Sequence, residues 1–269
     1  MDGERTVVAG SDGVEIGLIS AGSGDPLLLI HGGMGRLERW EPLWAPLASR
    51  FRVTAMDRRG RGTSTDGASY SAARESADIV AVIHHLAGQA HHGVNVMAHS
   101  IGATFVIDAA AGNADVRRLV LYEPPGPETV AGGWADRVAE LVSHDEVGRA
   151  AASFLRDIIA LSPKEIDRLR EQSGGTDVLA IAAATLPREA RALETIDFGS
   201  SRTITAPTLL LLGSTSPVWA RSITHQLESL IPHARVVQLA GQGHEAIDRA
   251  PDLVLEVLLA FFEPTTMPQ

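Results

Sequence analysis

A serine hydroxyl and a histidine imidazole, each set in a tight, small-residue turn, are the two groups in this chain best suited to chemistry. Val94-Asn95-Val96-Met97-Ala98-His99-Ser100-Ile101-Gly102-Ala103 runs from a buried strand pattern through a serine into a helix pattern. A turn that sharp needs small residues two before and two after the serine, and Ala98 and Gly102 supply them. At a helix start the unpaired N–H groups and the helix dipole favour a developing negative charge, so Ser100 is placed to act as a nucleophile. The other reading of Ser100 is an ordinary helix N-cap. A partner base decides between them.

The base is His244, in Ala240-Gly241-Gln242-Gly243-His244, directly after the apolar run Val236-Val237-Gln238-Leu239. Imidazole titrates near neutral pH, and a glycine-flanked loop can aim it across a sheet edge. A second glycine-rich loop, His31-Gly32-Gly33-Met34-Gly35, follows the strand pattern Leu27 to Ile30. Its N–H groups can be turned into a cleft, so the backbone N–H groups of Gly33 and Ile101 are the expected oxyanion donors. A phosphate cradle is the alternative for such a loop, but the order Gly-Gly-Met-Gly-Arg fits neither common nucleotide-binding glycine pattern. His31 reads as an anchor for its own loop.

These groups need a sheet to hold them, and the chain supplies one. Apolar runs at Pro26 to Ile30, Phe51 to Met56, Val94 to Ala98, Leu119 to Tyr122, Pro207 to Leu212 and Ala234 to Leu239 alternate with helical patterns. The helices are expected at Trp40 to Ser49, Ala72 to Leu86, Ile101 to Ala111, Ala220 to Leu230 and Pro251 to Phe262. Val7 to Ile19, broken at Ser11-Asp12-Gly13, reads as an antiparallel edge hairpin. The expected fold class is α/β, a mostly parallel eight-stranded sheet with helices on both faces. The alternation stops between Pro124 and Thr205, where Ala, Leu, Arg and Glu dominate. Residues 125–204 are therefore expected to form a helical cap inserted into a core made of residues 1–124 and 205–269.

With 269 residues, 45% hydrophobic and 21% charged, the chain has the composition of one globular domain with an insertion. The net charge of -10 comes without a cluster of Lys and Arg, which argues against a nucleic-acid partner. The absence of cysteine excludes thiolate chemistry, disulfides and Cys-ligated zinc. No stretch approaches the ~20 apolar residues of a spanning helix, so a cytoplasmic location without membrane attachment is the expectation.

Taken together, HGGMG, MDRRGRGTS, MAHSIGA, LYEPP, PTLLLLG and GQGH resemble the α/β-hydrolase superfamily over nearly the whole chain. The resemblance implies a cofactor-free, metal-free serine hydrolase in which the triad order is nucleophile, acid, histidine. In that pattern an Asp usually stands three residues past the glycine closing the PTLLLL strand. Here Ser216 stands there, and no Asp or Glu lies between Arg202 and Leu227. Glu123, at the end of the Leu119 to Tyr122 strand, is the nearest substitute, since it would lie at the same carboxyl edge of the sheet. This layout resembles that of zearalenone-type lactonases, while an ion pair or a contact with the cap is the alternative for Glu123. Asp57, in an Arg- and Gly-rich loop, reads as structural. Haloalkane dehalogenases and epoxide hydrolases carry Asp where Ser100 stands, so the resemblance argues against both.

The function expected is cleavage of an ester or lactone of a small apolar substrate through an acyl-enzyme, by a monomer or homodimer. Gly32, Met34, His99, Trp134, Phe154 and Leu155 are the candidate pocket walls, with plain core as the other reading of each. Trp40, Trp44 and Trp219 are ambiguous in the same way. Two other functions remain: a non-hydrolytic ligand-binding protein or cyclase, suggested by the missing Asp at Ser216, and a cofactor-free carbon–carbon hydrolase.

Overall fold

The computed structural model describes residues 1–130, 132–172 and 183–263. Its centre is an eight-stranded sheet in the order β1-β2-β4-β3-β5-β6-β7-β8. The strands are β1 (Glu4–Ala9), β2 (Glu15–Ala21), β3 (Pro26–Ile30), β4 (Arg52–Met56), β5 (Val94–His99), β6 (Val116–Tyr122), β7 (Thr208–Gly213) and β8 (Ala234–Leu239). β1 and β2 form the expected antiparallel hairpin, turned at Ser11–Gly13 with Asp12 at φ +52°. β2 also pairs antiparallel with β4, and every pairing from β4 to β8 is parallel.

The central strands are continuous apolar runs because both of their faces are covered. All five residues of β3 and all six of β5 and β7 are buried. On one face lie α2 (Ala72–Ala87) and α3 (Ile101–Ala110), whose Ile79, Val82, Phe105 and Val106 pack with Leu28, Ile30 and Val96. On the other lie α1 (Glu41–Ala48) and, near the end of the chain, a helix at Pro251–Phe262. There Trp40, Leu43 and Leu47 meet Leu27, Leu29, Val254 and Leu258. Trp40 and Trp44 are thus core residues of this second layer, the Trp44 indole donating to the Asp2 carbonyl at 3.0 Å.

Between β6 and β7 the described residues are helical or irregular and contain no strand. They form α4 (Trp134–Ser143), α5 (Val147–Ser153), a π-helical turn at Phe154–Ile158, α6 (Pro163–Gln172) and α7 (Leu186–Leu193), with 3-10 turns at Pro127–Val130 and Phe198–Thr203. Residues 131 and 173–182 of the expected cap lie outside the described residues. α7 buries Leu186, Glu189, Ala190 and Leu193 on one stripe against α4. The remaining helices are α8 (Val218–Leu230), α9 (Ala246–Arg249) and α10 (Pro251–Phe262). Among the described residues no helix is long and apolar enough to cross a membrane.

The direction of winding changes at β3, which lies between β4 and β5 although it precedes both in the chain. Loops leaving the carboxyl ends of strands at such a point flank a crevice, the usual ligand position in open α/β sheets. The loops from β3 and β5 carry His31 to Gly35 and Ser100.

Candidate active site

Ser100 connects β5 to α3 in a backbone conformation that L-residues rarely adopt, φ +55° and ψ −133°. Pairing holds it there: its N–H donates to the Tyr122 carbonyl of β6 at 2.8 Å. Small neighbours make room for it. A Cβ at Gly102 would collide with the His31 carbonyl oxygen, and one at Gly32 would stand 2.8 Å from the Ser100 Cβ. The turn at Ser100 and the glycine loop are therefore fitted to one another, and a methyl group at either position would separate them.

His31 holds that loop from within. Its Nδ1–H donates to the Gly32 carbonyl at 2.9 Å and its Nε2 accepts from the Arg58 N–H at 3.1 Å. Burial, reinforced by the Arg58 guanidinium, keeps the imidazole well below its ordinary pKa and therefore neutral. The Asp57 carboxylate is tied to backbone and hydroxyl donors, the Leu37 N–H at 2.8 Å and the Thr63 N–H and hydroxyl at 2.8 and 3.0 Å.

His244 follows β8 and is 4% exposed. Its Nδ1 lies 2.7 Å from Oε2 of Glu123, a residue with no exposed surface. Glu123 directly follows β6 at φ +46°, and its other oxygen, Oε1, accepts from the Gly213 N–H at 2.7 Å and from the Ser216 hydroxyl. Ser216 thus stands at the end of β7 as a donor to the carboxylate. The His244 loop is fastened by the Tyr122 hydroxyl, which donates to the Gly243 carbonyl and accepts from the Ala246 N–H at 3.3 Å. His99 donates from Nε2 to the His244 carbonyl at 3.1 Å, with the two rings 4.5 Å apart. Burial, with His244 and Arg39 nearby, holds His99 well below its ordinary pKa.

Two neighbouring spaces border Ser100, with Gly33 and Phe154 also common to both. The outer one, about 220 Å³, is lined by Gly32, Met34, His99, Ser100, Leu155 and His244, with Arg39 and Glu245 at its rim. The inner one, about 30 Å³, is lined by Gly33, Ser100, Ile101, Trp134, Phe154 and Glu189, with aliphatic side chains completing it. Every pocket residue named from the sequence lies on one of these walls. Ile101 opens α3, where an N–H has no intrahelical acceptor, and the Gly33 N–H is given to no acceptor among the described residues. Among the described residues the Ser100 hydroxyl makes no hydrogen bond, so Ser100 and His244 share a cavity without being joined in it.

Two further residues bear on the site: Trp219, whose part the sequence leaves open, and Glu189, which the sequence does not single out. Trp219 sets its ring edge-on to His244 at 5.6 Å and donates from Nε1 to the Ile158 carbonyl at 3.0 Å, tying α8 to the π-helical turn. Glu189, on α7, joins buried Arg58 and Arg61 at 2.6 and 2.9 Å. Its only sequence signal is a carboxylate within an otherwise apolar stripe, Leu186, Glu189, Ala190, Leu193. Among the described residues no group of three or more His, Asp or Glu side chains is placed to hold a metal ion.

Residues 27–257 match the alpha/beta hydrolase family model, and the chain belongs to that family. A solved alpha/beta hydrolase from Sphaerobacter thermophilus is similar at 31% identity and a TM-score of 0.82, over 96% of this chain and 100% of that one. The 2-(acetamidomethylene)succinate hydrolase of Mesorhizobium japonicum is 27% identical over 93% of this chain and 94% of its own length. The enol-lactonase of Burkholderia xenovorans shares the fold at 20% identity and a TM-score of 0.79, over 96% of this chain and 99% of that chain.

Proposed function

We propose that this member of the alpha/beta hydrolase family is a serine hydrolase that cleaves an ester or lactone of a small substrate through an acyl-enzyme. The observation that carries the reading is the 2.7 Å contact between His244 Nδ1 and buried Glu123, behind a cavity that Ser100 also lines. A carboxylate on Nδ1–H fixes the tautomer that leaves Nε2 free to accept a proton, and it stabilises the imidazolium once formed. Catalysis requires Ser100 Oγ and His244 Nε2 to close to hydrogen-bond distance in the substrate complex.

In the first step Ser100 Oγ attacks the carbonyl carbon while His244 Nε2 takes its proton. The carbonyl oxygen, now negative, receives the N–H groups of Gly33 and Ile101. A donor of this kind typically contributes ~100- to 1000-fold in turnover. His244 then gives its proton to the leaving oxygen as the acyl–oxygen bond breaks. Water, deprotonated by His244, attacks the acyl-enzyme and releases the acid. Residues 125–204 act as a cap over a core of residues 1–124 and 205–269, since Trp134, Phe154 and Leu155 wall the spaces beside Ser100.

Ser216 in place of an Asp argues for a non-hydrolytic protein, and the contact of Glu123 with His244 supports the hydrolase reading over it. An amide carbonyl is a second candidate bond, favoured by the relative named as a 2-(acetamidomethylene)succinate hydrolase. The same steps apply, with an amine leaving. A fluorophosphonate probe tests the core of the proposal. The expected result is covalent labelling on Ser100 that Ser100→Ala abolishes, with hydrolysis of p-nitrophenyl acetate lost in the same variant. A folded protein that takes no label overturns it.

A further inference from the structure

Glu189 is over-provided as a structural tie and under-provided as a buried anion. Only Oε1 is committed, accepting from Arg58 Nη2 at 2.6 Å and Arg61 Nη2 at 2.9 Å. The second oxygen, Oε2, is buried and has no hydrogen-bond partner among the described residues, on a side chain 4% exposed. It lies 3.5 Å from where a Cβ on Gly33 would stand, beside the Phe154 ring. Glu189 lines the inner space together with Gly33 and Ile101, so this oxygen lies at its wall. Burial alone raises the Glu189 pKa, but the Arg61 and Arg58 guanidiniums outweigh it and hold the carboxyl below its ordinary value, hence ionised. A buried anionic oxygen without a donor is costly, and aliphatic walls offer none.

We propose that Glu189 is a specificity-determining residue whose free oxygen accepts a hydrogen bond from a hydroxyl, ammonium or N–H group on the acyl part of the substrate. The acyl assignment rests on the hydrolase reading. His244 must protonate the leaving group, and it lines the outer space and not the inner one. The leaving group therefore occupies the outer space, and the acyl part enters the inner one, where Glu189 waits. With about 30 Å³ free, that acyl part is short.

Three small esters of nearly equal shape test this: methyl butanoate, methyl 3-hydroxypropanoate and the methyl ester of 3-aminopropanoic acid in its ammonium form. Their dissociation constants are measured on Ser100→Ala protein by NMR titration, and kcat/KM on the wild-type protein by pH-stat. The expected result is at least about tenfold tighter binding of the hydroxyl and ammonium ligands than of the butanoate. In Glu189→Gln the ammonium advantage falls away while the hydroxyl keeps an acceptor. Equal or tighter binding of the butanoate, or no measurable binding of either donor ligand, overturns the proposal. That comparison needs no change at Glu189, so it stands even where Glu189→Gln does not fold. If the binding order holds but no ester is cleaved, the hydrolase reading fails and the Glu189 assignment survives. If butanoate is cleaved and bound as well as the others, the reverse is true.

Discussion

Replacing Glu123 by Gln swaps one carboxylate oxygen for a donor without changing the volume, and the surroundings decide which one. Oε1 receives the Gly213 N–H at 2.7 Å, a backbone donor that cannot turn round, and the Ser216 hydroxyl, which can. An amide nitrogen at that end would meet the Gly213 N–H head-on, so the Gln carbonyl stays with Gly213 and its NH2 group faces His244. His244 Nδ1 must then accept rather than donate, which moves its proton to Nε2. The imidazole is left in the tautomer that cannot take the Ser100 proton. A neutral Gln also gives up the stabilisation of the imidazolium. Tautomer reversal of this kind in a serine triad costs about 10⁴ in turnover, or about 5 kcal/mol in the barrier. The assay is steady-state hydrolysis of p-nitrophenyl acetate together with the rate of fluorophosphonate labelling, both expected to fall by about that factor while KM and the urea midpoint change little. A Glu123→Gln protein that keeps a tenth or more of wild-type kcat would refute the role given to Glu123.

Ser216→Ala removes one of the two donors on Glu123 Oε1, and a hydrogen bond to a charged group contributes about 1.5 to 3 kcal/mol; a urea midpoint lowered accordingly, with kcat reduced but present, is expected. Gly102→Ala forces a methyl group against the His31 carbonyl and should destabilise the fold by about 1 to 3 kcal/mol, read from thermal unfolding, while slowing turnover by shifting the His31 to Gly35 loop. Acid should weaken the protein as well. His31 and His99 are held neutral, mainly by burial, with imidazole pKa values lowered in the folded state. Their contribution is complete above about pH 6.5 and is lost as pH falls toward the folded pKa values, at about 1.4 kcal/mol per unit for each group. Urea midpoints between pH 7 and pH 5 check this, and a flat profile contradicts it.

How far the sequence reached can be argued from individual elements. β3 begins and ends at the residues where its apolar run does, because a strand buried on both faces leaves an uninterrupted pattern; β8 keeps its expected bounds too, although it is an edge strand that is only partly buried. β6 is longer than its run, since Arg117 and Arg118 lie within it, their side chains partly exposed. β5 gains His99, whose ring is buried by donating to the His244 carbonyl, a contact no local pattern contains. The pairing of Glu123 with His244 could be inferred because β7 ends without a carboxylate and β6 ends with one. What Ser216 does there could not, since it depends on two strand ends meeting. The described residues between β6 and β7 are legible in the sequence as helix only. Which face of α7 meets Arg58 and Arg61, and how the turn at Phe154–Ile158 reaches Trp219, are set by packing between segments far apart in the chain.

Trp219 gives this fold a built-in optical gauge. Its ring centre lies 5.6 Å from that of the His244 imidazole, edge-on, and its N–H is secured to the Ile158 carbonyl, so the chromophore is held against His244 at nearly fixed distance and angle. A ligand or label placed in the spaces beside Ser100 and His244 should therefore change the emission, and that change should shrink in Trp219→Phe, so that occupancy of the site can be followed by light in a protein that is turning over nothing.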